Sequence, residues 1–266
     1  MINNERLLHK NIIITGASSG VGLSIAERCA ANGANLILLA RRWDVLKDIQ
    51  ADIQKRYSVS VRIFKLDVSD TDEVKNVFQQ ILEEVGQIDI LVNNAGYGIF
   101  RSAHEVSIEE TKGMFAVNVI GTMACTNMVL PVMMKQESGH IINIASQAGK
   151  IATPKSSAYA ATKHAVLGFT NSLRMEVSDQ NIFVTAVNPG PIKTNFFKIA
   201  DETGAYVKNV KSYMITPEFV ADHVVGAMLT KRREINLPRW MSAGSILFAL
   251  FPRLFERAGK PFLNKK

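Results

Sequence analysis

Tyr159 and Lys163 are the residues whose types and spacing point most directly to catalysis. They lie four positions apart in a stretch of good helix formers, and residues i and i+4 share one face of a helix. A phenol has a pKa of about 10, and a nearby ammonium favours its ionised form. A tyrosine held beside a lysine can therefore act as a general acid or base. Surface neighbours on a helix share this spacing, which is the alternative interpretation of the pair.

Ser146 is a third candidate, because it follows an apolar strand-like run and precedes Tyr159 by thirteen residues. Its hydroxyl can steady a carbonyl oxygen as negative charge develops there. The five histidines show no metal-ligand spacing with Cys, Asp or Glu. We therefore predict proton transfer without a metal.

A glycine-rich run, Thr15-Gly16-Ala17-Ser18-Ser19-Gly20-Val21-Gly22, joins the first strand-like segment to the first helix-like segment. Glycines let the backbone turn tightly and approach a pyrophosphate, while free N–H groups at a helix N-terminus favour negative charge. The spacing is G-x3-G-x-G, and no Lys-Ser/Thr pair follows it, which excludes a Walker P-loop. The position of the run predicts a dinucleotide site, with a plain tight turn as the alternative.

Arg41 and Arg42 follow the second strand-like run, where a cofactor with a free ribose 2′-hydroxyl usually meets an acidic residue. Two guanidinium groups suit a 2′-phosphate instead, because each can form paired hydrogen bonds with phosphate oxygens. A solvated helix start is the alternative, although cations there oppose the helix dipole. We therefore predict NADP(H) as the cofactor.

Two further strand ends carry short polar residues next to small ones, Asp67-Val68 and Asn93-Asn94-Ala95-Gly96. Such pairs suit the flat edge of an adenine or a ribose. They also suit ordinary turns, and their spacing alone does not separate the two interpretations.

The elements that must position these residues alternate along the whole chain. Strand-like runs without polar alternation indicate strands covered on both faces, and helix-like segments such as 43–57 and 74–85 separate them. Helix starts are predicted at Ser69, at Ser107 with Glu110, and at Thr216 with Pro217. The pattern predicts an α/β doubly wound (Rossmann) parallel sheet with helices on both faces, whose ligands bind beyond the carboxyl ends of the strands. The predicted strands are 11–15, 35–40, 61–66, 88–93, 140–145 and 182–188.

The composition agrees with a folded domain. The chain has 266 residues, of which 47% are hydrophobic and 21% charged. Cys29 and Cys125 lie in apolar helix-like stretches, so we predict buried, inert thiols. The first ten residues lack the apolar run of an export signal, so a cytoplasmic location is expected.

Taken together, the motifs resemble the short-chain dehydrogenase/reductase family, in order and at family-like spacing, over about residues 8–237. The resemblance implies a seven-stranded sheet whose last strand lies near 234–237, an NADPH-preferring member and a homo-oligomer, dimer or tetramer, formed through helices near 108–134 and 158–178. The motifs that carry it are TGxxxGxG at 15–22, NNAG at 93–96, Asn118, Ser146, YxxxK at 159–163 and Pro189-Gly190-Pro191-Ile192-Lys193-Thr194.

The resemblance also implies a role for each matched residue. Tyr159 is the acid/base, Lys163 lowers its pKa and binds the nicotinamide ribose, and Ser146 orients the substrate oxygen. Asn118 completes a water-linked proton relay. The implied cofactor-binding positions are Gly16, Ser18, Ser19, Gly20, Val21 and Gly22 at the pyrophosphate, Arg41 and Arg42 at the 2′-phosphate, Asp67 and Val68 at the adenine, Asn94, Ala95 and Gly96 at the ribose, and Pro189, Gly190, Ile192 and Thr194 at the carboxamide.

The substrate side and the C-terminal end give weaker signals. The segment 196–215 carries several aromatic residues and is expected to cover a partly apolar carbonyl or alcohol substrate. The net charge of +7 is confined to residues 231–266, which form a tail whose part after 238 is first apolar and then basic. We divide the chain into a domain at 1–238 and a helical tail at 239–266. The tail either packs over the cleft or a partner subunit, or contacts a membrane surface peripherally.

The predicted function is an NADPH-dependent oxidoreductase that acts on a ketone, aldehyde or secondary alcohol. The alternative from another class is a non-catalytic NADP(H)-binding regulator, or a scaffold at a membrane surface, with the same fold. Nucleic-acid binding is not expected, because the aromatic residues of the tail are not interleaved with its basic ones.

Overall fold

A parallel sheet of seven strands forms the centre of the molecule, in the order β3-β2-β1-β4-β5-β6-β7. The computed structural model describes residues 5–201 and 204–263. The five inner strands are almost fully buried and consist mainly of apolar residues, as a sheet covered on both faces requires, while the two edge strands are only partly buried. The strands are β1 Asn11–Thr15, β2 Asn35–Ala40, β3 Val61–Lys65, β4 Ile90–Asn93, β5 Gly139–Ile144, β6 Ile182–Pro189 and β7 Glu234–Leu237.

Helices cover both faces of this sheet, which confirms the predicted doubly wound α/β fold. They are α1 Gly20–Ala31, α2 Trp43–Arg56, α3 Thr71–Val85, α4 Ile108–Phe115, α5 Gly121–Gln136, α6 Ser157–Glu176, α7 Phe196–Ala200, α8 Ala205–Val210, α9 Pro217–Ala227, α10 Trp240–Leu250 and α11 Pro252–Leu263.

Each face of the sheet has its own hydrophobic core. On one face, α1 and α2 pack their apolar sides against β1, β2 and β3, and α9 packs on α1 and β7. Ile25, Leu46 and Val224 are fully buried there. On the other face, α3, α5 and α6 cover the sheet, with Phe78 and Val129 at the centre. The sheet is therefore shielded on both sides, and its carboxyl edge is left for a ligand.

The strand order reverses between β1 and β4, which are direct neighbours. The connections leave β1 and β4 toward opposite directions of the sheet, so a crevice opens beyond their carboxyl ends. The glycine-rich turn and the Asn93–Gly96 segment lie at this crevice. Topology thus brings together motifs that are about 80 residues apart in the chain.

Two of the three predicted helix starts are confirmed and one is wrong. Ser107 forms a reciprocal capping box with Glu110, and Thr216 caps α9. The cap of α3 is Asp70, not Ser69, because the Asp70 carboxylate accepts from the backbone N–H groups of Asp72 and Glu73. Ser69 instead donates its hydroxyl to Asp67 at 2.7 Å.

Both cysteines are buried in the core, as predicted. Burial raises the pKa of both thiols, that of Cys125 to about 12, so neither forms a thiolate easily. The run Ile108–Gln136 is long and apolar enough to cross a membrane by length and composition alone. Its α5 part nevertheless packs against both α3 and the sheet, as a core helix does.

Residues 231–266, which were predicted to form one basic tail, consist of two separate parts in the structure. Lys231, Arg232 and Arg233 precede β7 and lie at the amino edge of the sheet, where Arg174 donates to the Arg233 carbonyl. Helices α10 and α11 follow β7 and lie at the carboxyl edge, beside the crevice. The basic charge of residues 231–266 is therefore divided between opposite ends of the molecule. Lys265 and Lys266 lie outside the described residues, as does the side chain of Lys260.

Candidate active site

A single cleft of about 1300 Å³ runs along the carboxyl edge of the sheet and collects nearly all the predicted site residues. Only Gly22 and Asn118, among the predicted set, do not line it. Those that do are Gly16, Ser18, Ser19, Gly20, Val21, Arg41, Arg42, Asp67, Val68, Asn94, Ala95, Gly96, Ser146, Tyr159, Lys163, Pro189, Gly190, Ile192 and Thr194.

The glycine-rich turn is fastened to the end of β4. The Thr15 hydroxyl accepts from the backbone N–H groups of Asn94 and Ala95, both at 3.0 Å. The Asn94 amide donates to the Thr15 carbonyl at 3.0 Å. Gly16 has φ +65°, and a Cβ there would lie 2.9 Å from the Ala95 Cα, so only glycine fits. Gly22 lies behind this turn, beside the Asn94 amide, which explains why it does not reach the cleft.

The start of α1 presents free backbone donors to the cleft. Its N-cap residue, Ser19, makes no side-chain capping hydrogen bond, because its hydroxyl accepts from Arg42 at 2.8 Å. The same guanidinium donates to the Ser18 hydroxyl at 2.8 Å. A helix N-terminus with two hydroxyls and a guanidinium beside it is suited to bind phosphate.

Arg41 stands at the opposite lip of the same end of the cleft. Its guanidinium is 3.7 Å from the Asp67 carboxylate, and the side chain is 73% exposed. Hydrogen bonds from Ser69, together with Arg41, hold the pKa of Asp67 below its usual range despite partial burial, which has the opposite effect. Arg41 and Arg42 thus bring two cations to the end of the cleft where β2 finishes.

Tyr159, Ser146 and Lys163 meet at the other end. Tyr159 and Lys163 lie in the first turns of α6 and are 8% and 6% exposed. The Lys163 ammonium is 5.9 Å from the centre of the Tyr159 ring and donates to the Ile144 carbonyl at 2.9 Å. Ser146 follows β5, where its hydroxyl accepts from the Ala148 N–H at 3.0 Å.

Burial dominates the protonation of this group. It raises the pKa of Tyr159 to about 12, although a hydrogen bond with Ser146 works in the opposite direction. It lowers the pKa of Lys163 to about 8. The expected lowering of the tyrosine pKa is therefore not present in the protein alone, because removal from water disfavours the phenolate more than Ser146 favours it.

Asn118 occupies a place behind the cleft wall. Its amide oxygen accepts from the Tyr97 N–H at 3.0 Å, and its nitrogen donates to the Tyr97 carbonyl at 2.9 Å and to the Thr162 hydroxyl at 3.0 Å. It lies in a π-helical turn, Ala116–Ile120, between α4 and α5. Such turns interrupt helices mostly at functional sites. The side chain fixes the loop after β4 against α6, a link that sequence spacing does not show.

The segment from Pro189 to Thr194 forms another wall of the cleft. The Gly190 N–H donates to the Leu237 carbonyl at 2.6 Å, and the Lys193 N–H donates to the Ile215 carbonyl at 2.9 Å. Ile192 also pairs with Ile215 as an isolated bridge. The segment is thus held by β7 on one side and by the residues before α9 on the other.

Aromatic rings enclose Tyr159, and part of this enclosure was not predicted. Phe100 lies 5.6 Å from the Tyr159 ring and 5.1 Å from the Tyr206 ring, while Phe196 lies 5.7 Å from Tyr159. Phe196 and Tyr206 belong to the segment expected to cover the substrate. Phe100 was missed, and the only available signal was its position seven residues after Asn93, in the loop beyond β4.

Gly98 is a second residue that the sequence did not single out. A Cβ at this position would lie 2.7 Å from the Tyr159 Cδ2 atom and 3.0 Å from Phe196. Only a residue without a side chain lets the loop after β4 pass this close to the tyrosine. Gly98 therefore sets the position of the Tyr159 ring.

The cleft has the parts that a dinucleotide needs in the order in which it needs them. A helix N-terminus with free donors lies between two cations at one end and a buried Tyr-Lys-Ser group at the other. Within residues 5–201 and 204–263, no group of three or more His, Cys, Asp or Glu side chains is placed to hold a metal ion. The arrangement can bind phosphate, exclude water and move a proton at the Tyr159 oxygen.

Comparison with known proteins agrees with this arrangement. A family model described as short chain dehydrogenase matches residues 10–204. An NADP-dependent 3-hydroxy acid dehydrogenase of Schizosaccharomyces pombe is 37% identical over 87% of this chain and 91% of its own length. The dehydrogenase/reductase SDR family member 7B of Xenopus laevis is 37% identical over 92% of this chain and 79% of its own length.

Solved structures give the same result. An alcohol dehydrogenase from the archaeon Thermococcus sibiricus, complexed with 5-hydroxy-NADP, superposes with a TM-score of 0.78 at 27% identity, over 86% of this chain and 96% of that one. The family match at 10–204 contains the first six strands. The chain belongs to the short-chain dehydrogenase family of oxidoreductases.

Proposed function

We propose that this oxidoreductase uses NADP(H) and interconverts a carbonyl compound, ketone or aldehyde, and the corresponding alcohol. The observation that carries the proposal is one continuous cleft with Arg41 and Arg42 at one end and Tyr159, Ser146 and Lys163 at the other. When bound, the cofactor supplies or takes up the hydride.

Different residues of the cleft bind different parts of the cofactor. The start of α1 and the hydroxyls of Ser18 and Ser19 receive the pyrophosphate, and Arg41 and Arg42 receive the 2′-phosphate. Asp67 and Val68 border the adenine, and Asn94 and Gly96 border the ribose. The names of similar proteins support the choice of cofactor, since one is NADP-dependent and another was solved with 5-hydroxy-NADP.

Tyr159 is the residue that transfers the proton. Its raised pKa keeps the phenol protonated at neutral pH, so the side chain is ready to donate a proton to the substrate oxygen during reduction. The Ser146 hydroxyl hydrogen-bonds that oxygen and orients it. The Lys163 ammonium stabilises the phenolate that results, an interaction that strengthens in a cleft from which water is excluded.

The competing proposal is a non-catalytic NADP(H)-binding regulator. The intact group of Tyr159, Lys163 and Ser146 argues against it. The test is oxidation of NADPH and of NADH by the purified chain with a panel of ketones and aldehydes of increasing size. Turnover with NADPH that exceeds turnover with NADH supports the proposal. Tight NADPH binding with no turnover on any carbonyl compound would favour the regulator.

We propose in addition that the chain assembles into a dimer or tetramer through the helices α4, α5 and α6. These helices expose large apolar side chains, which suits a subunit contact. Light scattering of the purified chain measures the mass, and a monomer at micromolar concentration would refute this assembly. The exposed residues are Ile108 on α4, Met134 on α5 and Met175 on α6, with Ile120 in the π-helical turn between α4 and α5.

A further inference from the structure

Helices α10 and α11 have two different apolar faces. The inner face closes the cleft: Met241 and Gly244 line it, and Phe255 packs on Phe248 with ring centres 5.4 Å apart. Ser245 is buried between them and the rest of the molecule. The inner face therefore accounts for the position of both helices.

The outer face is apolar as well, and within the described residues nothing covers it. Large side chains here are exposed to between 45% and 66% of their surface, although hydrophobic residues of this size are usually buried. They continue from one helix to the next across Pro252. The residues of this outer patch are Trp240, Ile246, Leu247, Leu250, Phe251 and Leu254.

Basic side chains accompany the outer patch. Arg239, Arg253 and Arg257 are exposed, and Glu256 is the one acidic residue between 239 and 257. An apolar patch with cations beside it is complementary to a bilayer that carries anionic headgroups, because apolar side chains enter the acyl boundary while cations meet phosphate and carboxylate.

We propose that the outer patch of α10 and α11 seats the mouth of the cleft on an anionic membrane surface. The eleven residues of α10 are too few to span a bilayer, for which about 20 are needed, so the helices lie in the plane of the surface. A second copy of the chain is a poorer occupant. A two-fold contact would place two surfaces of the same positive charge against each other, because the same patch of both copies meets there.

The position of the patch gives membrane binding a consequence for catalysis. Trp240 belongs to the outer patch and also lines the cleft, where its ring lies 6.2 Å from that of Tyr213. A carbonyl compound dissolved in lipid would therefore meet the cleft directly at its aromatic wall. This consequence rests on the proposed reduction of a carbonyl compound, whereas membrane binding does not.

The experiment is co-sedimentation of the full chain with vesicles of phosphatidylcholine alone and of equal parts phosphatidylcholine and phosphatidylserine. Binding to the second vesicle that weakens with salt is expected. Leu250→Asp/Leu254→Asp should abolish it, while Leu8→Asp, at a similarly exposed position before β1 at the amino edge of the sheet, should leave it unchanged. All three positions are exposed, so circular dichroism should report an unchanged fold.

A second pair of variants separates local charge from net charge. Arg253→Gln/Arg257→Gln should weaken binding more than tenfold, since each basic residue near an anionic surface contributes about fivefold. Lys231→Gln/Arg232→Gln removes the same charge at the amino edge of the sheet and should have little effect. Wild type that stays in the supernatant, or Leu250→Asp/Leu254→Asp that binds like wild type, would overturn the proposal. If light scattering gave Leu250→Asp/Leu254→Asp a smaller assembly mass than wild type, the proposal would also be overturned, because the patch would then be a subunit contact.

Discussion

Replacing Lys163 by Met should stabilise the cofactor-free protein while it removes activity. The two side chains have similar volumes, so the buried position stays filled. The replacement removes an ammonium that is 6% exposed and whose pKa burial lowers from 10.5 to about 8. Lys163→Met therefore separates the contribution of Lys163 to activity from its effect on the free energy of unfolding.

The magnitude follows from the shift in pKa. Between pH 8 and 10.5 the unfolded chain binds more protons at this lysine than the folded chain, so stability rises with pH across that window. Below pH 8 the full penalty applies, about 3 kcal/mol for the shift from 10.5 to about 8. Loss of the hydrogen bond to the Ile144 carbonyl offsets about 1 kcal/mol. A net gain of about 2 kcal/mol at pH 7 is expected.

Urea unfolding of the cofactor-free protein at several pH values measures this gain. Lys163→Met should be the more stable protein at pH 7, and wild type should approach it as the pH rises above 8. Added NADPH should raise the midpoint of wild type more than that of the variant, because the variant has lost a contact to the cofactor. A variant less stable than wild type at pH 7, or a difference independent of pH, would refute the reasoning.

Three further predictions test other parts of the account. Gly98→Ala should lower kcat about 10- to 100-fold with NADPH affinity retained, measured by steady-state kinetics and by fluorescence titration, because the new Cβ displaces the nearby tyrosine ring. Arg41→Ala/Arg42→Ala should weaken NADPH binding about 10- to 150-fold and leave NADH binding nearly unchanged, in the same titration. Buried His140, whose pKa is lowered to about 3, must take up a proton on unfolding below pH 6.5; wild type should therefore lose about 2 kcal/mol more than His140→Asn between pH 7 and 5 in urea titrations.

The sequence predicts the sheet well because each strand is a local apolar run. The first six strands lie within two residues of their predicted bounds, and β7, implied by the resemblance, matches at 234–237. Of the two helix-like segments given bounds, 43–57 differs from α2 by one residue, while α3 begins three residues before the predicted 74–85. The cap of α3 was misplaced by one residue, since Ser69 and Asp70 are both good caps and only the conformation of the chain decides between them.

The site was predictable only where a motif is contiguous. The glycine-rich turn and the Tyr159–Lys163 pair are local patterns, and the fold brings them to one cleft. The enclosure of Tyr159 by Phe100 and Gly98 depends on how the loop after β4 crosses α6, which no spacing records. The raised pKa of Tyr159 likewise depends on burial, a property of the assembled fold.

The central claim is that Tyr159 transfers the proton at one end of a cleft that binds NADPH at the other. The most direct measurement compares wild type and Tyr159→Phe for oxidation of NADPH with a carbonyl substrate and, separately, for binding of NADPH. Loss of turnover by at least about 100-fold with unchanged NADPH affinity is predicted, because the phenol oxygen is removed while the ring still fills its place. Turnover retained within a few-fold in Tyr159→Phe would contradict the account.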